Sequence, residues 1–124
     1  MQDLQTESAR RAVVILLSQA LVARDIELMV GDMRPEATVI VAWTMLELTN
    51  ALSPRVLIDV AFVDDISAAK ALSDTTKLAH RDGRRVVLVG HDMGPIPQRK
   101  DWVLLPYPFT NHDVEKVLSS GAMT

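Results

Sequence analysis

The sequence predicts an α/β domain with a parallel sheet of five strands and helices on both faces. Short apolar runs rich in β-branched residues recur along the chain, and helical amphipathic stretches lie between them. Apolar residues fill most of these runs without alternating, which is the pattern of strands covered on both faces. Regular alternation of strand and helix then argues for right-handed crossovers and a parallel sheet.

The first strand is expected at Ala12–Leu17 (AVVILL). A helix follows over Gln19–Val30, where Val22, Ile26, Met29 and Val30 recur at i, i+4, i+7 and i+8. The second strand is Ala37–Trp43 (ATVIVAW), and a shorter helix, Thr44–Leu52, is stopped by Ser53-Pro54, because the residue before a proline is pushed out of the helical region. The third strand, Val56–Val63 (VLIDVAFV), is apolar apart from Asp59. A helix over Ser67–Arg81 presents Ala68, Leu72, Thr75 and Ala79 on one face, with Gly83 as its C-terminal cap. The fourth strand is Arg85–Val89 (RVVLV). Next comes His91–Asp101 (HDMGPIPQRKD), whose glycine and two prolines leave a short or irregular fourth helix. Trp102–Leu105 (WVLL) is a weaker fifth strand. The last helix, Thr110–Ser119, opens on T-N-H-D, an approximate capping box, and carries Val114, Val117 and Leu118 on one side. With no internal repeat, low-complexity tract or linker, residues 1–124 read as one domain with its core over about 12–118.

Composition removes several function classes. A chain of 124 residues with 48% apolar and 23% charged residues can build a core and does not read as disordered. A net charge of −3 gives no basic field for nucleic acid or an anionic membrane, and the small cluster Arg81, Arg84, Arg85 is diluted by Asp82. The absence of cysteine excludes disulfides, thiolate zinc sites and a Cys nucleophile. His80, His91 and His112 lack metal-ligand spacing, and no phosphate loop, Rossmann glycine motif or Gly-x-Ser-x-Gly elbow is present. The start of the chain, MQDLQTESARRA, is polar and carries acids, and no apolar run reaches membrane-spanning length, so a cytoplasmic location is expected.

Three segments carry a more specific likeness: Val14–Glu27 (VILLSQALVARDIE), Val56–Asp65 (VLIDVAFVDD) and Val103–Leu118 (VLLPYPFTNHDVEKVL), with Arg85–His91 fitting a fourth strand between the last two. In order and spacing they resemble the flavodoxin-like receiver domain of bacterial response regulators, the CheY-like family. The resemblance implies five parallel strands and an active site at their C-terminal ends, where carboxylates hold Mg²⁺ beside an acceptor aspartate.

Residue by residue, the resemblance puts the acceptor at Asp59. It puts the metal-binding acid pair at Leu17 and Ser18, the hydroxyl residue of strand four at Val89 and the family lysine at Tyr107, and it keeps Pro108 and Phe109, with a cis bond before Pro108. Leucine cannot ligate Mg²⁺, serine offers one neutral oxygen, and tyrosine has no positive charge. The expectation is therefore a non-catalytic pseudo-receiver with no cofactor, its Mg²⁺ site lost and Asp59 a vestige. Asp64 and Asp65 are the alternative acceptors, but they lie past the strand and are expected to cap the next helix.

Such a module belongs to two-component signalling and phosphorelay. It would bind a histidine kinase, another regulator or a second copy of itself as a homodimer, through the face from His91 to Ser120. The runners-up are a working phosphoacceptor that uses Asp59 with an atypical metal site, and a flavodoxin-like binder of an apolar or neutral small ligand over the strand ends.

Overall fold

The β-branched runs form strands and the amphipathic stretches form helices, because each can bury its apolar side only by stacking on the other. The computed structural model describes residues 10–52, 56–74, 85–90, 102–106 and 108–120. In chain order these contain β1 (Arg10–Leu16), α1 (Ala20–Met33), β2 (Thr38–Ala42), α2 (Met45–Ala51), β3 (Val56–Val63), α3 (Ile66–Ser73), β4 (Arg85–Val89), β5 (Trp102–Leu105) and α4 (Asn111–Ser120). All strand pairs are parallel and the order is β2-β1-β3-β4-β5, a flavodoxin-like arrangement. The expected strands match within two residues at either end, and β3, β4 and β5 match at both ends. Helix α1 runs past its expected end at Val30 to Met33, whose side chain packs on the core. Helix α3 is described only to Ser73 and its cap Asp74. The expected continuation to Arg81, the Gly83 cap and the irregular segment His91–Asp101 lie outside the described residues.

Two apolar layers sandwich the sheet. On one side α1 and α4 bring Ile26, Val30, Val114 and Val117 onto Val13, Ile15, Val60, Phe62, Val87 and Val89. On the other α2 and α3 bring Leu48, Ala69 and Leu72 onto Val14, Leu16, Ile58, Ala61, Val63 and Leu88. Strand β1 alternates strictly between these layers, as a pleated strand must. Strand β3 does not: Ile58 and Ala61 face the same layer although they are three residues apart.

The pairing with β1 explains this. Ala12 aligns with Ile58 and Val13 aligns with Val60, so Asp59 is one residue too many, a β-bulge. The bulge resets the phase of β3 and keeps Val60 and Phe62 facing α1 and α4. The extra side chain stays partly exposed, and Asp59 Oδ1 accepts a hydrogen bond from Arg11 Nη1 at 3.1 Å, both side chains about two-fifths exposed.

Polar contacts lock the layers. Trp102 Nε1 donates to the hydroxyl of Ser73 at 2.6 Å, tying α3 to β5 through a serine that is itself buried. The T-N-H-D box forms as expected: Thr110 N–H donates to Asp113 Oδ2 at 2.9 Å and Asp113 N–H donates to Thr110 Oγ1 at 3.2 Å. Arg34, the C-cap of α1, donates from both terminal nitrogens to Glu115 on α4, and the Ser119 hydroxyl donates to Glu115 Oε2 at 2.6 Å. The Ser119 hydrogen bond, then the Arg34 guanidinium, hold the Glu115 carboxyl below its ordinary value of 4.5.

Because Asp59 is the inserted residue of the bulge, deleting it should straighten β3 without changing which face any other side chain meets. The deletion variant is expected to fold, and Asp59→Asn to cost no more than about 1 kcal/mol, since its ion pair is exposed. Deleting Val60 instead would pull Asp59 into the layer against α1 and α4 and cost on the order of 3 kcal/mol or more. Urea unfolding of the three variants checks this.

The Arg34–Glu115–Ser119 clasp has a defined acid dependence. A carboxyl whose folded pKa is lowered contributes stability above the unfolded value and loses it as pH falls through the folded one. The stability difference between the parent and Glu115→Gln should therefore be full above pH 4.5 and fade below it, as measured by unfolding at a series of pH values.

Candidate functional site

In a parallel sheet every strand delivers its following connection to the same end. At this end the chain leaves β1 through Leu17–Ser18–Gln19, β2 through Trp43–Thr44 and β3 through Asp64–Asp65. Each connection is fixed by local hydrogen bonds. Thr44 caps α2 by accepting from Glu47 N–H at 3.0 Å, and Glu47 Oε1 reaches back to accept from Trp43 N–H at 2.6 Å. Asp65 caps α3 by accepting from Ser67 N–H at 2.7 Å. Asp64 is not part of that cap. Its Oδ2 accepts from Ser18 N–H at 2.9 Å and from Ser18 Oγ at 2.7 Å, which joins the β1 and β3 exits directly beyond their last paired residues, Leu16 and Val63.

These exits surround a cavity of about 220 Å³ lined by Leu16, Leu17, Ser18, Trp43, Thr44, Met45, Asp64, Asp65 and Ala68. It lies between the connections that carry the chain to opposite faces of the sheet, the crevice where open α/β sheets bind ligands. Its described lining holds two carboxylates and no Lys, Arg or His. Trp43 is half-exposed beside it, and Leu46 in the first turn of α2 is 70% exposed. Among the described residues, no group of three or more His, Asp and Glu side chains is placed to hold a metal ion.

The structure brings some of the expected positions together and separates others. Leu17 and Ser18 stand at the mouth, Leu17 with its side chain buried in the layer against α1 and Ser18 exposed and bonded to Asp64. Val89 ends β4 on the same side of the sheet, buried at 2% exposure. The next residue, Gly90, has φ 149°, a conformation that favours glycine, and its N–H donates to the Leu105 carbonyl at 3.2 Å.

Asp59 is elsewhere. It precedes Val63, the last residue of β3, by four positions, roughly 13 Å at the usual strand rise, and pairs with Arg11. The carboxylate at the β3 exit is Asp64, so the expectation that Asp64 and Asp65 both cap α3 holds for Asp65 alone. Tyr107 lies outside the described residues, and with it the geometry of the bond to Pro108; Pro108 itself is exposed. Sequence reading took Trp43 for packing and, between an acceptor and a capping role for Asp64, preferred the cap; the structure places both residues at the mouth. The available signal was Asp64's place as the first acid after the β3 apolar run.

A second groove, about 350 Å³, runs between β5 and α4. Val103, Leu104, Leu105, Pro106, Pro108, Asp113, Lys116 and Val117 line it. Leu104 is 56% exposed there, within the His91–Ser120 segment expected to meet a partner.

The Ser18–Asp64 link predicts a contrast between two substitutions. Ser18→Ala removes the hydroxyl bond, keeps the backbone one and should cost about 1 kcal/mol. Ser18→Asp sets a second carboxylate against Asp64 and should cost more at neutral pH. That excess should shrink as the pair protonates in acid, because like charges raise carboxyl pKa values. Denaturant unfolding at neutral and acidic pH separates the two.

Comparison with protein-family models, with curated proteins and with solved structures finds no match to this chain.

Proposed function

We propose that this domain is a receiver-like module that works by binding a protein partner and turns over no phosphoryl group. The observation that carries the reading is the Ser18–Asp64 link. At the sheet end where a receiver gathers acids around Mg²⁺, the β3-exit carboxylate is held by the N–H and hydroxyl of Ser18, and the neighbouring Leu17 is buried. This donor set does not suit the ion. Mg²⁺ requires several hard oxygens in near-octahedral array, whereas Leu17 offers none and the Ser18 hydroxyl donates to Asp64. The partner surface that fits this reading is the β5–α4 groove with exposed Leu104 and Lys116. A kinase, another regulator of two-component signalling or a second copy of the chain is the class of partner in view.

One observation favours a second reading. Asp64 has the place a phosphoacceptor needs, at the end of the central strand with one oxygen, Oδ1, that no described residue bonds. In that reading Asp64 is the nucleophile and Asp59 is not.

Intact-mass spectrometry after incubation with acetyl phosphate and Mg²⁺ decides between them. The parent, Asp59→Asn and Asp64→Asn are all expected to keep their unmodified masses. A phosphoryl adduct on the parent that disappears in Asp64→Asn and survives in Asp59→Asn would establish the phosphoacceptor reading and overturn the first.

A further inference from the structure

We infer that the outer edge of β2 is a pairing surface for a second copy of this chain, joined edge to edge in an antiparallel, two-fold dimer. This edge lies across the sheet from the β5–α4 groove, so the inference does not depend on the reading above.

Strand β2 ends the order β2-β1-β3-β4-β5, and among the described residues it pairs with β1 alone. Ala12–Leu16 of β1 are buried, whereas Thr38, Val39, Ile40 and Val41 of β2 are each only partly buried. Ile40 belongs to one apolar layer and Val39 and Val41 to the other, so both layers run out to solvent here. Large exposed apolar residues surround the same edge. Leu21 and Leu28 stand on α1, Leu46 on α2 and Trp43 at the exit of β2, each at least half-exposed, and α1 and α2 are the helices that pack on β2. The strand also lacks the devices that blunt an edge: Ala37–Trp43 (ATVIVAW) holds no charge and no proline.

The edge is complementary to itself. Directly opposite residues of an antiparallel pair point to the same face. A two-fold axis through Ile40, the middle of β2, sets Ile40 opposite its copy, Val39 opposite Val41, and Thr38 opposite Ala42. Like layer then meets like layer: Ile40 extends one core, Val39 and Val41 the other. Trp43 comes opposite Ala37, large against small. The axis is perpendicular to the sheet, so α1 comes beside α1 and α2 beside α2. A lone extended peptide could bond the edge but would leave Leu28 and Leu46 in water. A second copy brings its own helices at the matching heights. The strand is about 17 Å long and the sheet with its two helix layers about 25 Å thick, which gives on the order of 400 Å² per copy. That is about half the usual 800 Å², so the dimer is a weak one, with Kd on the order of 100 µM.

Sedimentation equilibrium of the full chain from about 10 µM to about 1 mM reads the association, and a monomer–dimer equilibrium is expected. Leu28 and Leu46 are 53% and 70% exposed, so Leu28→Glu and Leu46→Glu leave the fold intact. Each should raise Kd at least about tenfold, whereas Leu104→Glu on the far edge should change it less than about twofold. Asp25 and Asp32 lie one turn to either side of Leu28, so like charges cross the seam and added salt should tighten the dimer. The chain has no cysteine, and Ile40→Cys places one thiol on the axis. Oxidation should link two copies there, because opposite Cα atoms are about 4.5–5.5 Å apart, within disulfide range. Leu104→Cys should link much more slowly. A dispersed amide spectrum confirms that each variant is folded. A parent that stays monomeric at about 1 mM, assembly beyond the dimer, or a dimer weakened by Leu104→Glu and untouched by the other two would each overturn the inference. The last result would place self-association at the β5–α4 groove instead.

Discussion

Strand β3 pairs with β1 on one side and β4 on the other and meets helices on both faces, so the packing of the whole domain depends on its phase. A pleated strand sends odd and even positions to opposite faces. The sequence of β3 breaks that rule, with Ile58 and Ala61 both needed against α2 and α3. The bulge at Asp59 absorbs the mismatch. A polar residue suits the inserted position, because the extra side chain has no place in either layer and must find water or a partner. Asp59 finds both, pairing with Arg11 where each remains partly exposed. Such an exposed pair contributes little stability; the consequence of the bulge is geometric.

Correct phase carries β3 to Val63 fully buried and releases the chain at Asp64 beside the exit of β1. The Ser18–Asp64 bonds then connect the two central strands beyond their backbone ladder. The same short connections that cap α2 and α3 fix Trp43 and Asp65 around the cavity. Rigid exits make a small site with defined acceptors, and its acidity follows from the choice of Asp64 and Asp65 with no lysine or arginine among the described lining.

Much of the fold was legible because its signals are local. Apolar runs of strand length, Ser53-Pro54 as a helix stop and T-N-H-D as a helix start each act over a few residues, and the structure places elements on them. The resemblance to receivers put Leu17 and Ser18 just past the first strand, and both line the mouth there. The candidate acceptor was harder to read. VLIDVAFV is apolar on both sides of Asp59, so pattern alone cannot tell an acid at a strand end from an acid in a bulge. The structure sets Asp59 away from the mouth and Asp64 within it.

The amino-acid order by itself determined the alternation of strands and helices, the two-sided burial of the sheet and the lack of cysteine chemistry, since each depends on residue type and near-neighbour spacing. Tertiary structure decided the register of β3 against β1, and with it which carboxylate reaches the strand ends. It also decided that Ser18 and Asp64, 46 positions apart, share hydrogen bonds. Register is a property of two strands together: a residue becomes an insertion only against a partner that has none, and no reading of one strand alone contains that comparison.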